Sequence, residues 1–233
     1  MKNLLILLFL IPFMSLCYGN NINNNLQIEK IEKKYNLKYW MPNYKYIIMN
    51  NNESDHFYSI LKDGCNIEIN INKNNPVLMS SKSKDIEFTF LHEMGHCVLG
   101  KQALIDEIKW IIPINSKEDI KIKSLILENE KFYINNKKTP LIKVIYHEIF
   151  ADTFATLLYL KRNPNQVNDI KYLLEKRKEQ NKNPYDTHLS VESIDYILND
   201  KNLLKNLTIE KLKAKSIEIT QKQLLNYIRV EYE

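Results

Sequence analysis

A chain of 233 residues, 44% hydrophobic and 26% charged, is large and apolar enough to bury the core of one domain, which excludes a disordered or fibrous protein. Its formal charge of +5 is spread among mixed acids and bases. Without a basic stripe or interleaved aromatics, nucleic acid is not expected as a partner.

In chain order, residues 1–19 come first: Lys2, the apolar run LLILLFLIP over 4–12, and then Cys17-Tyr18-Gly19. That three-part layout predicts a cleaved signal peptide and a secreted or periplasmic mature protein. The run is shorter than the ~20 residues of a spanning helix, and no later segment is long and apolar enough to cross a bilayer. Lipidation at Cys17 is the alternative, with bulky Leu16 before it speaking against it. The expected layout is a signal peptide at 1–19 and one domain over 20–233, with an insertion at 101–138 and a helical part from 165 to 233.

Helical spacing predicts an amphipathic helix over 26–36 (LQIEKIEKKYN). Residues 44–49 (YKYIIM) and 56–61 are β-prone, and 65–72 (CNIEININ) alternates with Cys65, Ile67, Ile69 and Ile71 on one face. A small mixed or antiparallel sheet follows from these, and strand 65–72 is a candidate edge for an extended substrate. Ser83 then reads as an N-cap, Asp85 and Glu87 favour a first turn, and Gly100 stops the helix. A second helix starts at Thr139-Pro140, runs through Tyr159 and ends near Asn163-Pro164; more helices are expected at 165–181, 190–200 and 208–229. The class is α+β, with the sheet early and helices after it. Beyond residue 19 two cysteines remain, Cys65 and Cys97. We read them as buried thiols, with a disulfide as the alternative in an oxidising compartment.

The chemistry concentrates in His92-Glu93-Met94-Gly95-His96. Positions i and i+4 share a helix face, about 6 Å apart along the axis, so two imidazoles can converge on one Zn2+. Glu93 flanks that metal without binding it and is placed to take a proton from water there. Two histidines satisfied separately in a core is the bland alternative; it leaves both polar rings needing partners on an apolar helix.

A catalytic zinc needs a third protein ligand and an open fourth position. In the second helix Glu148 and Asp152 are again i and i+4, and two carboxylates on one apolar helix face call for a cation. Zinc on Glu148 meets that need, and Asp152 can then hold the second ring nitrogen of a ligand histidine. Ala151 and Ala155 let the two helices approach closely.

H-E-x-G-H followed on a later helix by E-x-x-A-D resembles the gluzincin metallopeptidases. The resemblance implies a zincin-like fold, zinc on His92, His96 and Glu148, Glu93 as general base, Asp152 behind a ligand histidine, and a protein or peptide substrate. Asp186-Thr187-His188-Leu189-Ser190 is similar to the D-T-H-P-S segment of the prenyl-protease and heat-shock-protease branch. Here Leu189 stands for the proline and no arginine follows. That likeness alone brings in His188, as a catalytic donor to the oxyanion or else a surface loop residue. His147 competes with Glu148 as third ligand. Adjacent helix residues point about 100° apart, so only one of them faces the metal, and the shared-face argument favours Glu148; His147 is then partly exposed or hydrogen-bonded. The expected activity is that of an exported zinc metalloendopeptidase. The alternatives are a cell-wall peptide hydrolase, or a non-catalytic zinc-containing binding protein that uses the apolar stripe of 208–229 on a partner.

Overall fold

A computed structural model describes residues 27–51, 56–60, 64–72, 83–100, 142–182, 189–200 and 202–232. The segment read as a signal peptide, the expected insertion at 101–138, the expected helix start at Thr139-Pro140 and His188 lie outside the described residues.

The first described element is α1 (27–35), which buries Ile28, Ile31 and Tyr35 at helical spacing. The helix expected over 26–36 is present and stops at Asn36, which takes φ 51°, a left-handed conformation that asparagine tolerates; the short α2 (Leu37–Trp40) follows it and was not expected.

Three strands follow, β1 (Lys45–Asn51), β2 (His56–Ile60) and β3 (Asn66–Asn72). The sheet is mixed, in the order β1-β3-β2: β3 runs parallel to β1, with Ile48 opposite Ile69, and antiparallel to β2. The alternation over 65–72 holds, with Cys65, Ile67 and Ile69 buried. The expectation that this strand offers an edge to substrate does not. As the central strand, β3 pairs through its backbone on both sides.

The next helix, α3 (Ser83–Leu99), includes Ser83, so that residue is helical and not the N-cap. Gly100, at φ +83°, ends the helix and donates its N–H to the His96 carbonyl at 3.0 Å. Cys97 of α3 and Cys65 ahead of β3 form a disulfide with Cα atoms 5.3 Å apart, which corrects the buried-thiol reading. Period two turns Cys65 inward with Ile67, while the helical period turns Cys97 towards the same core.

Across α3 packs α4 (Ile142–Arg162), buried on every side from Ile145 to Leu160 apart from the part-exposed Glu148. Then come α5 (Val167–Gln180), α6 (Val191–Asn199), α7 (Leu203–Asn206) and α8 (Ile209–Tyr232). Helix α8 lies on α4 and buries Leu212, Ile219 and Leu224. Ile209, Ile217 and Leu225 of its apolar stripe pack against the same core. The architecture is α+β and mostly helical. Among the described residues no helix is long and apolar enough to cross a membrane.

Candidate metal centre

The two long buried helices supply the polar groups of the centre. On α3 the rings of His92 and His96 meet edge to face, centroids 4.7 Å apart, with their Nε2 atoms separated by 3.1 Å. From α4, Oε2 of Glu148 stands 3.1 Å from His92 Nε2 and 3.6 Å from His96 Nε2. Donors about 2.0–2.1 Å from one tetrahedral ion stand roughly 3.3 Å from each other. The three spacings bracket that value. His92, His96 and Glu148 therefore form a group that could hold a metal ion.

The electrostatics ask for a cation at the same point. Burial works against a charged His92, but the carboxylates of Asp152 and Glu148 outweigh it and raise its pKa to about 10. A metal ion on Nε2 would supply that positive charge in place of the proton.

Asp152 is completely buried beneath His92. It accepts the His92 Nδ1–H on Oδ1 at 2.7 Å, and Nε and Nη2 of Arg177 donate to its two oxygens at 2.7 and 2.8 Å. The Ser190 hydroxyl completes the set on Oδ2. Burial opposes ionisation of Asp152, but Arg177 and His92 prevail and hold it well below the usual carboxylate range. Glu148 and Asp152 do share one face of α4, and each meets a different nitrogen of His92.

Glu93 is buried next to His92 and lies outside the converging set of ligand atoms, as does His147. The structure departs from the expected partial exposure of His147, which is buried. It is 7% exposed, its ring stacks on His96 at 5.8 Å and 15°, and its Nε2 has no hydrogen-bond partner. Burial, reinforced by His96 and opposed by Glu148, lowers its pKa to about 4.

Two contributors escape a reading of the sequence. Ser190 belongs to the D-T-H-L-S segment, but no spacing points it at Asp152. Arg177 carries a compositional signal only: arginine stands at three positions (Arg162, Arg177 and Arg229) among 33 basic residues, so its fork in place of lysine is selective.

Comparison with protein-family models, with curated proteins and with solved structures gives no match for this chain.

Proposed function

We propose that this chain is an exported, zinc-dependent metallopeptidase acting on protein or peptide substrates. The observation that carries the reading is the convergence of two histidine nitrogens and one carboxylate oxygen from two helices, with Glu93 buried beside them. Two imidazoles and one carboxylate are a donor set suited to zinc, and three protein ligands are what a hydrolytic site uses, because a fourth position stays open. Zinc, when bound, supplies a Lewis acid that polarises a scissile carbonyl and acidifies water at neutral pH.

The protein's groups do the rest. His92, His96 and Glu148 would hold the ion, and Asp152, by accepting the Nδ1–H of His92, would fix that ring with Nε2 free to bind it. The Glu93 carboxylate takes the proton of the attacking water and delivers it to the leaving amine nitrogen. His188 is the proposed donor to the developing oxyanion, on the strength of the D-T-H-x-S likeness. The apolar run before Cys17-Tyr18-Gly19 supports export.

The test is the zinc content of the purified protein beside that of Glu148→Ala, together with hydrolysis of a mixed set of fluorogenic peptides. The expected result is about one zinc per chain in the wild type, its loss in the variant, and peptide cleavage that a chelator stops. Full zinc retention by Glu148→Ala would move the third ligand elsewhere, and no zinc in the reconstituted wild type would overturn the reading.

A further inference from the structure

Asp152 receives four hydrogen bonds from three separate segments: one from His92 on α3, two from Arg177 on α5 and one from Ser190 at the head of α6. A carboxylate offers about four lone-pair positions, so these donors saturate it. The carboxyl torsion of aspartate is intrinsically broad, and nothing in α4 alone selects its plane. The two-pronged guanidinium does select it. That plane sets the direction in which Nδ1–H of His92 points. Because imidazole is rigid, it also sets the aim of the Nε2 lone pair across the ring.

Arg177 is itself held from behind, donating from Nη1 to Gln180 Oε1 at 2.7 Å. On α5 it follows Ile170 and Leu174 along the buried stripe. An apolar residue there would serve stability as well or better, since buried ion pairs seldom improve on good packing.

We propose that Arg177 is a positioning residue of the metal centre, acting through Asp152 to hold His92 in its metal-binding orientation. The inference rests on the metal-site reading above and makes α5 part of that site, not an accessory helix.

Zn2+ affinity of the full chain, measured by competition with a chromophoric chelator, tests it across wild type, Arg177→Gln, Arg177→Lys, Asp152→Asn and the Arg177→Gln/Asp152→Asn double variant. Arg177→Gln is expected to bind Zn2+ roughly 10–100-fold more weakly. Arg177→Lys, which keeps the charge without the fork, should recover only part of that loss, and it supplies the comparison if the Gln variant does not fold. The double variant should bind no more weakly than Asp152→Asn alone, because Arg177 acts through that carboxylate. In NMR spectra of chelator-treated protein, the hydrogen-bonded Nδ1–H proton of His92 should shift or broaden in Arg177→Gln, a change that a distant stability effect would not produce. Wild-type affinity with an unchanged Nδ1–H resonance in Arg177→Gln, or fully additive losses in the double variant, would overturn the inference and leave the peptidase reading standing. Zn2+ binding by the wild type with no hydrolysis of any peptide would count against the peptidase reading, and the affinity series would still decide the role of Arg177. A wild type that binds no Zn2+ overturns both.

Discussion

Gly95 lies directly against the backbone of Ala151: a β-carbon at position 95 would stand 2.8 Å from the Ala151 Cα and 3.1 Å from its carbonyl oxygen. Gly95 precedes His96, and Ala151 sits between Glu148 and Asp152, so this contact sets the separation of α3 and α4 at the candidate metal centre. Gly95→Ala would gain about 1 kcal/mol of helix propensity, but it must push α3 and α4 apart. We expect a net loss of about 1–3 kcal/mol and weaker metal binding. A urea midpoint and a Zn2+ titration measure both; no change in either would show that the helices have slack.

Glu93→Gln keeps the size of the side chain and removes its basicity. Zinc content should be unaffected, because Glu93 lies outside the converging ligand atoms. Peptide hydrolysis should fall by roughly 10²–10⁴-fold, the usual contribution of a general base. Hydrolysis at the wild-type rate would remove Glu93 from the mechanism.

The Cys65–Cys97 bridge closes a loop of sequence separation 32 and ties the sheet to the helix that carries His96. Loop-closure entropy of that length corresponds to roughly 3–4 kcal/mol. Guanidinium unfolding of Cys65→Ala/Cys97→Ala is expected to show a loss of this order, and reduction of the wild type should reproduce it. Identical midpoints in oxidised wild type and the double variant would show that the bridge contributes nothing to stability.

His147 should make the protein acid-sensitive. Burial first, and His96 second, depress its folded pKa to about 4, below the unfolded value of 6.5. Protons therefore favour the unfolded chain: the stabilising contribution is complete above pH 6.5 and is lost as pH falls through about 4. Its size is of order 3 kcal/mol. Urea midpoints between pH 7 and pH 4, with chelator present so that metal release plays no part, should fall less steeply in His147→Phe. Parallel slopes for the two proteins would refute this assignment.

The long helices and the strands were readable because their signals repeat within a few residues. Alternation of Cys65, Ile67 and Ile69 located β3, the apolar runs located α3 and the described part of α4, and Gly100 marked the end of α3. The same local periodicity put His92 beside His96 and Glu148 beside Asp152. None of these signals states what lies across from an element. Alternation is identical for an edge and a central strand, so the insertion of β3 between β1 and β2 was not readable, and a β-addition edge was expected where there is none. The short α2 beyond Asn36 was not readable, because four residues are too few to show a helical period.

The centre divides in the same way. The amino-acid sequence alone determined the long helices and the pairs His92/His96 and Glu148/Asp152 within them, since 3.6 residues per turn place i and i+4 together wherever the helix goes. The tertiary structure decided the meeting of Glu148 with both histidines, the Cys65–Cys97 bridge, the burial of His147 against His96 and the grip of Arg177 on Asp152. Those contacts join segments that no fixed spacing relates. Gly95 lets α3 close on α4, and α5 packs its Ile170–Leu174 stripe inward, carrying Arg177 to the Asp152 carboxylate buried beneath His92.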